Sequence, residues 1–243
     1  MDGQLRDKVA SGVAWSMAEK VGTMLLQLAV SLTILRLLNP AIMGVIAIPT
    51  AFLAVAIVIA DSGFSQALIR KGTPTADDYK SVFAFNVGVA LVLYGVLVAL
   101  AGSIARFYDM PEITRIAPVF FLQLPLSAAC AIQNTIFVRT FRFALLSKVT
   151  FASWFIAGMV AIGLALAGFG IWCIVVQRVL QASVRALLLW WLSDWRPCGK
   201  CSRRPLREMA PYSFSLLATD FISTLYNNCL LYTSPSPRDG ATS

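Results

Sequence analysis

The sequence predicts an all-α fold, a polytopic transmembrane helical bundle, and three observations carry that prediction. Apolar residues make up 58% of the 243 and charged residues only 13%, where soluble domains carry about 25% charge, and the mean hydropathy is +0.74. The apolar residues gather into runs long enough to cross a bilayer, for which about 20 residues suffice. Lys and Arg, 20 in all, concentrate in alternate connections between these runs, as the positive-inside rule requires.

Seven spans follow, at 13–37, 42–68, 81–104, 115–138, 146–167, 170–192 and 211–232. With the N-terminus inside, the inner segments 1–12, 70–80, 139–148 and 193–211 hold most of the basic residues, and the outer ones hold Arg36, Arg106 and Arg115. The N-terminus is therefore expected in the cytoplasm. Residues 1–12 lead into an apolar stretch too long for a signal-peptide core, so no cleavage is expected. The net charge of +8 does not point to nucleic acid, because the basic residues sit in short loops and not on an interleaved basic and aromatic surface.

The first span is apolar on all sides but one. Ser16, Lys20, Thr23, Gln27 and Ser31 fall within an arc of about 80° on a helix. Such a stripe cannot face lipid without a desolvation cost, so it is expected to line a polar cavity. The second span follows Asn39-Pro40, contains Pro49 and runs into the polar interruption 61–66, where Asp61 either is solvated at a helix end or points into the bundle. In the fourth, Pro118 and Pro125 predict a kink whose freed carbonyls need partners. The fifth repeats Ser153, Ala157, Ala161 and Ala165 at every fourth residue, a small-residue face for close helix packing.

The sixth span carries the sharpest charge signal. Arg178, Gln181 and Arg185 lie within about 60° of one another on a helix, and arginine at the depth of Arg178 costs about 3 kcal/mol or more unless it faces a cavity or an acidic partner. Against the cavity role stands a structural one, with Arg185 snorkelling to the surface and Arg178 in an ion pair. The seventh span presents Ser213, Asp220, Thr224 and Asn227 on one face. Glu19, Asp61 and Asp220 are candidate partners for Lys20, Arg178 and Arg185, and the pairing stays open. An excess of arginine would leave positive charge for an anionic ligand.

No catalytic residue, cofactor or metal site is expected. Histidine is absent and the five cysteines are scattered; Cys198-Gly-Lys-Cys201 is a lone CxxC without a second pair and reads as two incidental loop thiols. Asp77-Asp78 is expected in a solvated turn at the start of the third helix, where it suits the helix dipole. Residues 233–243 have two prolines and no periodicity; they read as a non-native tail of translated adapter sequence, excluded from the fold.

Several short stretches occur in a telling order: Val9-Ala-Ser-Gly-Val-Ala-Trp15, Arg36-Leu-Leu-Asn-Pro40 with Gly44, and Asp61-Ser-Gly-Phe-Ser-Gln-Ala-Leu-Ile-Arg70. Ala105-Arg-Phe-Tyr108, Phe141-Arg-Phe143, Gly168-Phe-Gly-Ile-Trp172 and Tyr226-Asn-Asn228 follow. The ordered set resembles the polysaccharide transporter branch of the multidrug, oligosaccharidyl-lipid and polysaccharide exporter superfamily, the Wzx-like flippases, over almost all of 5–228. The resemblance implies two similar helical halves around a central cavity that opens alternately to either side. In those terms 1–12 is a cytoplasmic N-terminus, 13–192 a six-helix N-terminal half, 193–210 a basic cytoplasmic loop and 211–232 the first helix of a C-terminal half whose remainder is missing. The implied location is the inner membrane. The implied substrate is an undecaprenyl-pyrophosphate-linked oligosaccharide, an O-antigen, capsule or exopolysaccharide unit, and the expected partners are membrane lipids and the missing half.

On this reading Lys20, Gln27, Arg178, Gln181, Arg185, Asp220 and Asn227 line the cavity and bind substrate, the cations meeting the pyrophosphate and the amides the sugar hydroxyls. Glu19 and Asp61 serve ion pairing or coupling. The alternative within the superfamily is a cation-coupled exporter of small drugs with Asp61 or Asp220 as its proton or sodium site. A membrane-embedded glycosyltransferase, polymerase or acyltransferase is disfavoured, because such enzymes need an acid or base in a large loop, often with a metal.

Overall fold

Helix is what these residues form almost throughout. The computed structural model describes residues 2–37, 40–61, 63–71, 74–197 and 203–233, without the side chains of 2–16, 18–19, 40–43, 203–205, 208, 220–221, 224–225 and 227–233. In order come α1 (Asp2–Leu37), α2 (Pro40–Asp61), α3 (Phe64–Arg70), α4 (Ala76–Phe107), α5 (Glu112–Phe120), α6 (Gln123–Arg139), α7 (Phe143–Leu166), α8 (Trp172–Leu192) and α9 (Arg203–Thr233). Among the described residues six stretches, Lys20–Leu37, Gly44–Asp61, Ala76–Phe107, Glu112–Arg139, Phe143–Leu166 and Trp172–Leu192, are long and apolar enough to cross a membrane. The chain is a multi-pass membrane bundle, and α9 occupies the seventh expected span.

Two ends differ from expectation. Helix α1 begins at Asp2 instead of 13, because residues 2–12 hold Leu, Gln, Arg, Lys and Ala and no proline to stop them. Helix α9 begins at Arg203 instead of 211; Pro205 falls in its first turn, where a missing N–H is no loss. Cys198 and Cys201 and the tail from 234 onward lie outside the described residues.

Two crossings are broken. The second splits at Gly63, whose φ of 69° ends α2 and starts α3. A Cβ there would lie 2.8 Å from the Ser213 carbonyl oxygen and 3.0 Å from Leu216 Cβ, so α9 rests directly on this backbone. The fourth crossing splits between α5 and α6, as its prolines predict. Tyr94 Oη donates to the Pro118 carbonyl at 3.1 Å and Gln123 Nε2 to the Phe120 carbonyl at 2.7 Å, supplying partners that the interrupted ladder lacks.

The small-residue face of α7 is enclosed as expected, with Ser153, Ala157 and Ala161 wholly buried. Both α1 and α8 pack on α7. At Gly158 a Cβ would come within 2.8 Å of Val30 Cγ2, so α1 approaches closely only because no side chain stands there. Val30, Ile34, Ala161, Ala165, Ile174 and Val175 join one core with Phe120, Phe121 and Leu124. Outward, Met17, Val21, Met24, Leu25, Leu28 and Leu32 of α1 are exposed, a surface suited to hydrocarbon.

One end of the bundle is basic. There Arg139 Nη1 donates to the carbonyls of Leu68, Ile69 and Lys71 at 2.6, 3.0 and 2.6 Å, closing the C-terminus of α3. Arg70 lies over the Tyr212 ring at 4.6 Å. Asp78 is not in a solvated turn: it is buried, completes a capping box with Thr75 and pairs with Lys71 at 2.8 Å.

Substituting Gly63→Ala places a side chain at positive φ against α9. It is expected to destabilise the purified chain in detergent by roughly 1–3 kcal/mol, read as a lower apparent melting temperature. The control Gly88→Ala, which meets nothing within 4 Å, should not lower it; equal melting of the two variants would refute the contact.

Candidate functional site

Helix α8 sets the site. Arg178 and Arg185 are seven residues apart, two turns of helix, so their side chains leave α8 within about 20° of one another and about 10 Å apart along the axis. Each borders a different polar cavity.

The cavity nearer the basic end has a volume of about 190 Å³ and is walled by α2, α3, α4, α6 and α8. Arg185, Asp61, Ser65, Asn86, Ser127 and Asn134 supply its polar groups. A directed chain of hydrogen bonds crosses it: Asn86 Nδ2 donates to Ser65 Oγ at 3.5 Å, and Ser65 Oγ donates to Asp61 Oδ1 at 2.5 Å. On the far wall Arg185 Nη2 donates to Asn134 Oδ1 at 3.1 Å. Asn86 is 1% exposed, yet its Oδ1 and the Nε of Arg185 are buried without a partner. Both Asp61 and Ser65 stand beside the Gly63 break, which is what brings them inward.

The second cavity, about 270 Å³, lies farther from the basic end, where Gln27, Ser31 and Ile34 of α1 face Ile174, Gln177 and Arg178 of α8, with Ile46 of α2 and Trp154 of α7. The Arg178 guanidinium lies 5.7 Å from the Trp154 ring centroid, a cation–π distance. Among the described residues no carboxylate is in ion-pair contact with Arg178 or Arg185.

The expected residues are thus divided between two cavities. Gln27 joins Arg178, and Asp61 joins Arg185. Gln181 is half-buried on the flank of α8 and Lys20 is exposed on α1; neither borders these two cavities. From the α1 stripe Thr23 is buried, leaving Gln27 and Ser31 to face the open space. Ser213 is sealed beside Gly63 with its hydroxyl unpartnered. The side chains of Glu19, Asp220 and Asn227 lie outside the described residues. Sequence reasoning passed over Ser65, Asn86, Asn134, Trp154 and Gln177. Asn86 could have been found as a single amide within an apolar run, and Asn134 as the middle of the polar triplet Gln133-Asn134-Thr135 inside one; Trp154 carried no such signal.

The family described as "Polysaccharide biosynthesis protein" matches residues 33–231. The chain is 26% identical over 212 residues to the succinoglycan biosynthesis transport protein ExoT of Rhizobium meliloti (strain 1021), covering 87% of this chain and 43% of that protein. It is 21% identical to an uncharacterized membrane protein in the cps region of Klebsiella pneumoniae, over 87% of this chain and 44% of the relative. The teichuronic acid biosynthesis protein TuaB of Bacillus subtilis (strain 168) is 23% identical, over 70% and 36%. The chain therefore spans less than half the length of these curated relatives. No solved structure matches it.

A buried amide with an orphaned oxygen lowers stability, and replacing it by an apolar side chain of similar shape removes that penalty. Asn86→Leu is accordingly expected to raise the stability of the chain in detergent by about 1 kcal/mol, measured as a higher apparent melting temperature. A lower one would mean that the amide's contact with Ser65 outweighs its orphaned oxygen.

Proposed function

The chain belongs to the polysaccharide biosynthesis protein family, and on that premise we propose that it works as a transporter, not an enzyme, moving a lipid-linked saccharide across the cytoplasmic membrane. One observation carries the reading: two arginines that meet no carboxylate among the described residues, on one face of one helix, each opening onto a polar cavity at a different depth of an otherwise apolar bundle. The substrate class joins a diphosphate to sugars and a long apolar tail. Its tail can stay in the bilayer along the exposed apolar surface, while the anionic headgroup needs positive charge inside.

Arg185 is the first such charge counted from the basic end and Arg178 the second, two turns on. An anion leaving one comes within reach of the other, so passage replaces one charge-assisted contact by the next. Asn134 holds the Arg185 guanidinium from one side and leaves its Nε free to donate. With the positive-inside rule the basic end faces the cytoplasm, and Arg185 lies on the loading side. The names of the relatives, for succinoglycan transport and teichuronic acid biosynthesis, support a polymer precursor over a drug as cargo.

Charge removal tests the reading. In the source cell, Arg178→Gln and Arg185→Gln are each expected to lower cell-surface polysaccharide at least roughly tenfold, given that hydrogen bonds to charged groups contribute about 1.5–3 kcal/mol. Arginine-to-lysine variants should keep part of it. Undiminished polymer in the double glutamine variant, with the protein present in the membrane, would remove the assignment.

A further inference from the structure

The cavity at Arg178 has the makings of more than a charge. Helices α1 and α8 each pack on α7, and the gap between them exposes the half-buried Trp154 of α7. We infer that this gap is a saccharide subsite for one pyranose ring bearing an acidic substituent, with Trp154 as its platform. The inference deepens the transport reading above and rests on it.

Size limits the occupant. A cavity of about 270 Å³ has room for one sugar ring, and any further rings of the same chain would lie outside it. Chemistry then selects among rings. The C–H face of a pyranose is apolar with a weak positive potential at its hydrogens, and the indole face is apolar and negative, so the two stack. Around the platform stand three flat polar groups, the amides of Gln27 and Gln177 and the guanidinium of Arg178. An amide offers a donor and an acceptor side by side, and a guanidinium a fork of donors, matching adjacent ring hydroxyls. Gln177 is only 8% exposed, so its side chain has little rotamer freedom to lose on binding.

The acidic substituent follows from the charge. Arg178 meets a ring face and no carboxylate among the described residues; it is the one charged group in the described lining, and a carboxylate on the sugar would take the fork in bidentate fashion. The diphosphate of a lipid headgroup shares that anionic chemistry. What separates them is Trp154, whose negative face gains nothing from a phosphate but stacks with a sugar.

The test is a binding titration, by saturation-transfer NMR, on the purified chain in detergent micelles with methyl β-glucuronide, methyl β-glucoside and inorganic pyrophosphate. The glucuronide is expected to bind at least about fivefold tighter than the glucoside. Arg178→Gln should abolish that difference. Trp154→Leu should weaken both sugars by roughly tenfold, whereas Trp154→Phe, which keeps an aromatic face, should stay within about threefold of the parent chain. Pyrophosphate binding that needs Arg178 but ignores Trp154→Leu, with no sugar bound, would overturn the subsite. So would sugar binding that neither variant changes, or no sugar binding by a chain that still melts cooperatively. Loss of sugar binding while export still depends on the arginines sinks the subsite alone; export indifferent to the arginines sinks the transport reading, whatever the sugars do.

Discussion

Inside hydrocarbon an unpaired backbone carbonyl costs several kcal/mol, because no water is there to accept the role of donor. This bundle nevertheless interrupts two of its crossings, at Gly63 and between α5 and α6. At the α5–α6 break Tyr94 reaches in from α4 and Gln123 folds back locally to take up freed carbonyls, and at the far end of the short helix α3 Arg139 collects three more. The repairs let polar residues turn inward: Asp61 and Ser65 flank one break, and Ser127 follows the other. The cavity near the basic end is thus a by-product of helices that stop early.

Close packing supplies the complementary half of the design. With alanine, serine and glycine along α7, α1 and α8 both settle on it at short range, and neither fills the space between them. The gap that results is bordered by Gln27, Ser31, Gln177 and Arg178. Apolar burial elsewhere, around Phe120, Phe121 and Leu124, offsets the expense of holding these groups away from bulk water.

The crossings and their order were legible because hydropathy over a span length is a strong signal. Faces within a single helix were legible as well: the enclosed side of α7 and the shared face of Arg178 and Arg185 follow from 3.6-residue periodicity, and the break between α5 and α6 from the missing donors of Pro118 and Pro125. What periodicity cannot say is which helix comes to stand opposite. Gln27 was visible as polar, but its meeting with Arg178 depends on α7 separating α1 from α8. Tyr94 lies 24 residues from the carbonyl it serves, and nothing local marks it. Asp78 looked solvated because acidic residues in first turns usually are; the Lys71 ammonium and Thr75 instead let it be buried. Trp154 is one aromatic among many, and only the surrounding amides and guanidinium set it apart.

The ties at the end of α3 have a mechanical consequence. Arg139 fastens α3 to α6, Lys71 fastens its end to the start of α4 through Asp78, and Arg70 rests on Tyr212 of α9. Helix α3 is continuous in sequence with α2 but anchored to other helices, and the residue that joins the two is a glycine with a turned backbone. Across the turn the Ser65 hydroxyl of α3 reaches back to the Asp61 carboxylate of α2, and α9 lies against the glycine backbone between them. The basic end is therefore cross-braced: α3 ties α2, α4, α6 and α9 together at the edge of the cavity that Asp61 borders.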